Sequence, residues 1–238
     1  MRHAKSPHLA GRWAAPKLRS TRVLRSLAKQ DFMSAAARTT KIDTVRHEAV
    51  ACRRCGLWRN ATQTVFGEGP ANAELMLVGE QPGDKEDIAG HPFVGPAGAV
   101  LDRALKDAKI PRSEVYVTNA VKHFKSIPRG KRRIHQRPNN AEIEACRWWL
   151  TQELKLVAPG LVVALGVSAA RALLGRLVTI SKTRQTLLEG VDGEKVAVTS
   201  HPSAILRMID EAARHEAYEL LVKDLAWADQ QRRALGKK

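Results

Sequence analysis

Four short runs of consecutive apolar residues punctuate the chain: Leu75-Met76-Leu77-Val78, Val115-Tyr116-Val117, Leu161-Val162-Val163-Ala164-Leu165 and Val196-Ala197-Val198. Because they are continuous rather than alternating, they predict strands buried on both faces. Between them the period changes. Val100, Leu101, Ala104, Leu105 and Ala108 recur at helical spacing, and Asn139 or Asn140 can cap a helix over about 141–156 that contains Cys146. Further helices are predicted over 168–174 and about 211–230, with a short one over 41–51 near the start. Strands alternating with helices define a three-layer α/β/α sandwich around a central four-stranded parallel sheet. Such sheets gather ligands at the carboxyl ends of their strands. Glu80, Asn119 and His201 each stand just past a predicted strand end, so three polar groups distant in sequence are expected on one rim.

Composition narrows the partner. The chain has 238 residues, long enough for one domain with a substantial core, and a formal charge of +16. Residues 1–41 carry ten Lys or Arg against one acid, Asp31, a net of +9, which leaves +7 for residues 42–238. Both parts are basic, so an acidic polymer is the expected partner, nucleic acid ahead of a membrane surface. Residues 1–41 are read as a mobile basic arm, although an Arg-rich, acid-poor start also suits an organelle transit peptide. No apolar run approaches the ~20 residues of a membrane span, so a soluble protein is expected; three cysteines that cannot close a disulfide set suit a reducing, cytoplasmic compartment, and a monomer is the default. The absence of Gly-x-Gly-x-x-Gly and of a Gly-Lys-Ser/Thr phosphate loop argues against dinucleotides and nucleoside triphosphates.

Two features carry candidate chemistry. Gly130-Lys131-Arg132-Arg133-Ile134-His135 is read as a loop in which Lys131, Arg132 and Arg133 hold a phosphate backbone while His135 faces a sugar or base. The bland alternative is a solvated basic surface. Three cysteines, Cys52, Cys55 and Cys146, cannot close a disulfide set; Cys52-Arg53-Arg54-Cys55 has no strand before it, so a metal site is preferred to a thioredoxin-like redox pair.

Taken together, six segments resemble the iron-sulfur uracil-DNA glycosylase superfamily, and most closely its UdgX branch. They are Cys52-Arg53-Arg54-Cys55, Gly79-Glu80-Gln81-Pro82-Gly83-Asp84, Pro92-Phe93-Val94-Gly95-Pro96-Ala97-Gly98, Val117-Thr118-Asn119-Ala120-Val121-Lys122-His123-Phe124, Lys131-Arg132-Arg133-Ile134-His135 and His201-Pro202-Ser203. The resemblance covers about residues 45–228 and implies a glycosylase-like domain over 42–238. In the related turnover family the fourth segment ends in a ligating Cys. Here His123 stands in its place, so the resemblance implies a [4Fe-4S] cluster on Cys52, Cys55, His123 and Cys146. Imidazole can replace thiolate on cluster iron, and a Cys3His zinc site is the alternative that ligand types alone leave open.

The resemblance further implies that the chain acts on uracil in DNA, single strands preferred because flipping costs least there. Phe93 would stack on the base, Asn119 would read its edge, and His201 would hydrogen-bond an oxygen of the departing uracil. Gln81 would shape the loop beside the base. Glu80, helped by Asp84, would orient or deprotonate the nucleophile or stabilise the cationic sugar. In the UdgX branch His135 would then capture C1' of the deoxyribose in place of water. Each residue also has a plain reading: Phe93 as core, Asn119 in a turn, His201 at a helix start, and Asp84, Glu86 and Asp87 as a solvated acidic patch. The rival functions are a conventional turnover glycosylase and a non-catalytic iron-sulfur protein that binds single strands.

Overall fold

In the computed structural model of the protein, which describes residues 34–236, each apolar run becomes a strand. The chain opens with helix α1 (Ala35–Val50), capped by the Ser34 hydroxyl, and so begins six residues before the expected start at Lys41. Strand β1 (Leu75–Gly79) leads through a turn into α2 (Asp84–Ala89) and α3 (Pro96–Asp107). Strand β2 (Val115–Asn119) follows, then a pair, β3 (Ser126–Arg129) and β4 (Arg132–His135), and α4 (Asn140–Val157). The Asn139 side chain accepts from the Glu142 N–H, and Glu142 answers from the Asn139 N–H, a reciprocal cap that explains where α4 begins. The remainder is β5 (Leu161–Leu165), α5 (Val167–Leu174), α6 (Ile180–Thr183), β6 (Leu188–Glu189), β7 (Lys195–Thr199), α7 (Pro202–Leu206) and α8 (Glu211–Leu235).

The main sheet runs β2-β1-β5-β7-β6. The four expected strands are parallel, and β6 adds a short antiparallel edge against β7 that its two residues were too few to announce. Successive side chains alternate between faces as strand geometry requires. Met76 and Val78 join a core with α1, α4 and α5, while Leu75 and Leu77 join a second core with α3, α7 and α8. No helix among the described residues is long and apolar enough to cross a membrane.

Register decides what lies at the sheet's carboxyl edge. Gly79 pairs with Asn119 and Leu165 with Thr199, so these strands end level. Glu80, Ser168 and His201 follow at once, and the rim foreseen from the strand pattern is present.

One expectation is corrected here. Lys131 to His135 is not a free loop: β3 and β4 form an antiparallel hairpin outside the main sheet, with Ser126 opposite His135 and Arg129 opposite Arg132. Its two-residue turn is Gly130-Lys131, with Gly130 at φ +59°, the left-handed conformation such turns favour in glycine. Of the arm expected over residues 1–41, residues 1–33 lie outside the described residues, and 35–41 are the first turns of α1.

Candidate active site

A cleft of about 920 Å3 opens at the carboxyl edge of the sheet, and Glu80, Gln81, Asp84, Phe93, Asn119, His135 and His201 all line it. Its floor depends on missing side chains. A Cβ on Gly79 would lie 2.3 Å from Asn119 Oδ1 and 2.7 Å from Phe93 Cζ, so only glycine lets those two groups meet over the strand end. Phe93 itself sits at φ +59°, and a Cβ on Gly98 would stand 1.7 Å from the Phe93 carbonyl oxygen. The first turn of α3 therefore packs directly beneath the strained aromatic residue and holds its ring in the cleft.

Across from it, the His201 ring lies 6.3 Å from the Phe93 ring, centroid to centroid, at an interplanar angle of 28°. The Ser203 backbone N–H donates to His201 Nδ1 at 3.1 Å. An N–H can only donate, so the proton of the neutral ring belongs on Nε2, leaving that nitrogen as a donor. Burial pushes the His201 pKa down to about 4, and the neighbouring Arg207 and His135 push the same way. The ring is therefore neutral across the physiological range.

Asn119 is buried, and its backbone is fixed from behind. The ammonium of Lys122, fully buried, donates to the Asn119 carbonyl at 2.7 Å and to Thr118 Oγ1 at 2.7 Å. Its ion-pair partner is Glu153 on α4, also fully buried, which in addition accepts from the Gly67 N–H, the Tyr116 hydroxyl and the Thr118 hydroxyl. A buried ion pair satisfied to this degree is costly to break. Lys122 belongs to one of the segments that carry the resemblance, but Glu153 did not stand out, because nothing linear connects position 153 to the strand end it supports.

His135 projects from the end of β4 to the lip of the cleft. Its Nε2 lies 3.4 Å from Glu80 Oε1, and its ring tilts against Phe124 at 6.2 Å. Burial lowers the His135 pKa; the Glu80 carboxylate opposes that shift and Arg207 adds to it. The other oxygen of Glu80 accepts from the Ser168 hydroxyl and lies 3.4 Å from Arg137 Nε. Arg137 Nε in turn donates to Ser168 Oγ at 3.0 Å. Ser168, Arg137 and Arg207 were not foreseen, although Ser168 stands just past β5 where the strand-end argument would have found it.

The hairpin is tied down by two side chains that the sequence placed in the site. Gln81, expected to shape the loop beside the base, donates its amide N–H to the Gln136 carbonyl at 3.0 Å and accepts from the Lys125 N–H at 3.2 Å, so it staples the hairpin base at the edge of the cleft. Arg133 was expected on a phosphate backbone. Its Nε instead donates to Asp84 at 2.7 Å and its Nη1 to Asp87 at 2.5 Å, with the guanidinium 5.3 Å from the Phe124 ring. Lys131 and Arg132 are exposed at the hairpin tip. The acidic patch is not simply solvated either. Asp87 also accepts from the Thr62 N–H, and buried Glu86 accepts from the Gly83 and Gly95 N–H groups, joining the two turns that flank the cleft.

The four expected ligands do not line the cleft. Cys52 Sγ accepts from Trp149 Nε1 and Cys146 Sγ from the Lys122 N–H, both at 3.1 Å. Burial raises the Cys55 thiol and pushes Cys146 up to about 12, and Cys146 feels the charge of both other cysteines, so the three sulfurs share one region. Buried His123 places Nε2 3.1 Å from Thr64 Oγ1. Among the described residues no three Cys, His, Asp or Glu side chains converge tightly enough to enclose a single metal ion. N–H donors aimed at two sulfurs suit a thiolate ligand set, so the donor chemistry fits a sulfur-bound group.

A parallel sheet with a polar cleft at its carboxyl edge defines an α/β protein that handles a ligand at strand ends. Comparison with known proteins makes the class specific. Residues 66–226 match the uracil DNA glycosylase superfamily, a match that begins after Cys52 and Cys55. The chain is 36% identical over 167 residues to a type-4 uracil-DNA glycosylase of Thermotoga maritima, covering 70% of this chain and 83% of that one. It is 38% identical over 170 residues to the type-4 enzyme of Pyrobaculum aerophilum, covering 68% and 83%. A type-5 uracil-DNA glycosylase from the same archaeon is 30% identical over 185 residues, covering 71% and 78%. The chain belongs to the uracil-DNA glycosylase superfamily.

Proposed function

We propose that this protein excises uracil from DNA, single strands preferred, and is then joined through His135 to C1' of the emptied deoxyribose, as its resemblance to the UdgX branch implies. The observation that carries the second half is the meeting of His135 and Glu80, 3.4 Å apart, at the lip of the cleft that Phe93, Asn119 and His201 also line.

Uracil stacks on Phe93, and the Asn119 amide, donor and acceptor at once, matches its edge and opposes the amino group of cytosine. The bond from N1 to C1' breaks and its electron pair leaves on uracil, whose oxygen accepts from the His201 Nε2–H as charge builds. Glu80 supplies a negative charge beside the electron-poor C1'. The lone pair of the neutral His135 ring then forms the new N–C1' bond, and the proton released from the other ring nitrogen ends on Glu80 or solvent. A nucleophile held in place outcompetes water through effective concentration. The alkylated imidazole lacks the leaving group that would let hydrolysis release it.

Ser168 and Arg137 hold the Glu80 carboxylate in position, and Asp84 acts through Arg133 rather than on substrate. Lys131 and Arg132 at the hairpin tip contact the phosphate backbone. Cys52, Cys55, His123 and Cys146 would hold a [4Fe-4S] cluster, with zinc as the alternative. Such a group supplies a crosslink between segments distant in sequence, here both ends of the stretch that carries the hairpin.

Denaturing electrophoresis tests the proposal. Wild-type protein incubated with uracil-containing single-stranded DNA is expected to give a shifted band, absent with thymine DNA and absent in His135→Ser, which releases uracil and leaves abasic product. Free abasic product from wild type, turned over many times per enzyme, would refute self-trapping. Iron content and an absorption shoulder near ~400 nm support the cluster; a colourless zinc protein refutes it.

A further inference from the structure

Outside the cleft, the segment that carries Cys52 and Cys55 presents a second constellation that the proposed reaction does not use. The Arg53 guanidinium lies 4.2 Å from the centre of the Trp58 ring, and that of Arg59 5.7 Å from the same ring. Arg54 lies 4.9 Å from Trp148 and 5.8 Å from Trp149. The three arginines are exposed, and so is Trp148 at 49%. Neighbouring cations are neutralised: Lys125 by Glu142 and Arg147 by Asp192. Arg53, Arg54 and Arg59 pair with no carboxylate among the described residues. Three uncompensated guanidinium groups held over aromatic rings combine N–H donors for phosphate with ring surfaces on which unpaired bases stack.

The patch also adjoins the hairpin. Thr62, three residues beyond Arg59, accepts from Arg133 Nη1 at 3.1 Å and so fixes the patch segment against the strand that ends in His135.

We infer that Arg53, Arg54 and Arg59, with Trp58 and Trp148, form a second docking surface for single-stranded DNA, engaging the part of the strand that extends past the hairpin from the nucleotide in the cleft. The inference rests on the reading that the chain handles DNA, but not on uracil excision. The protein therefore has a longer footprint than its cleft requires. Short oligonucleotides fill the cleft alone, whereas longer ones also reach the arginine–tryptophan surface.

The test uses the full chain and thymine-only oligonucleotides, free of uracil, of roughly 5 and roughly 15 nucleotides, a range set by typical single-strand site sizes. Fluorescence anisotropy is expected to show the longer strand binding wild type at least about tenfold more tightly, with tryptophan emission quenched by the longer strand only. In R53E/R54E/R59E that length advantage disappears. For three lost contacts the salt slope on the longer strand falls by about 2. The milder pair R54Q and W148A, checked for unchanged thermal midpoint, is expected to lose part of the advantage in the same direction. An unchanged length dependence in all variants, or equal weakening on both lengths, overturns the inference. Failure of the uracil gel leaves this result standing, and the reverse also holds, because no uracil enters the binding test.

Discussion

The strand-end rim and the hairpin are built in opposite ways. Asn119 and His201 stand at the end of a parallel sheet whose strands bury their apolar side chains, each Val, Leu or Met contributing about 1.5–3 kcal/mol; Asn119 is fixed from behind by the buried Lys122, and His201 by the Ser203 N–H. His135 belongs to a two-stranded ribbon with no core of its own: Ile127 is 52% exposed, and an isolated hairpin is marginal in water. What holds the ribbon is Gln81 at its base, Arg133 against Asp84 and Asp87, and the buried face of Phe124. On the proposed function, the difference teaches that reading the base and capturing the sugar would be mechanically separate. Asn119 is locked into the fold, while His135 is carried on a ribbon held by side chains.

The hardest blow to that contrast falls on the rim. Lys122→Met leaves Glu153 charged and unpaired in the core and is expected to cost about 3–5 kcal/mol, read by denaturant unfolding, with the preference for uracil over cytosine falling as the Asn119 carbonyl loses its anchor. A variant of wild-type stability and selectivity would show that the buried pair does not set the rim. Arg133→Met, by comparison, frees the ribbon and leaves buried Asp87 with the Thr62 N–H as its remaining partner, so the unfolding midpoint is expected to fall, but by less than in Lys122→Met. Trapping is expected to slow by about a hundredfold, on the scale of a nucleophile displaced by ~1 Å, while uracil release by the folded protein stays close to wild type. Equal loss of release and trapping would mean the two regions are not separable.

The finest measurement is the pH profile of trapping. Only the neutral imidazole is a nucleophile, and the His135 pKa lies below its ordinary value of 6.5, so the single-turnover rate should be flat above about pH 6.5 and fall tenfold per unit only below the depressed pKa. Glu80 opposes the depression and Arg207 reinforces it. In Glu80→Gln the acidic limb therefore moves to lower pH, and in Arg207→Ala to higher pH. Shifts of the same sign in both variants would remove these charges as the cause.

How legible these regions were follows from the same contrast. Each rim strand announced itself as an unbroken apolar run closed by a glycine or polar residue, so Glu80, Asn119 and His201 could be placed on one edge without coordinates. The hairpin hid because Pro128 and four cations between Arg129 and Arg133 obscure any alternation, although Gly130 followed by one residue is a turn signal in retrospect. Arg133 read as a phosphate ligand because a linear sequence shows its charge and not Asp87, 46 residues away. Glu153 was silent for the same reason: a lone acid in a helix gives no sign that four donors will surround it.

The two-residue turn at Gly130-Lys131 makes the reactive ribbon a ten-residue module, Ser126 to His135, that enters and leaves the molecule at neighbouring points. A module of that kind can be transplanted. Grafted onto a turnover relative together with partners equivalent to Gln81, Asp84 and Asp87, it would turn a repair enzyme into a permanent tag for uracil in DNA.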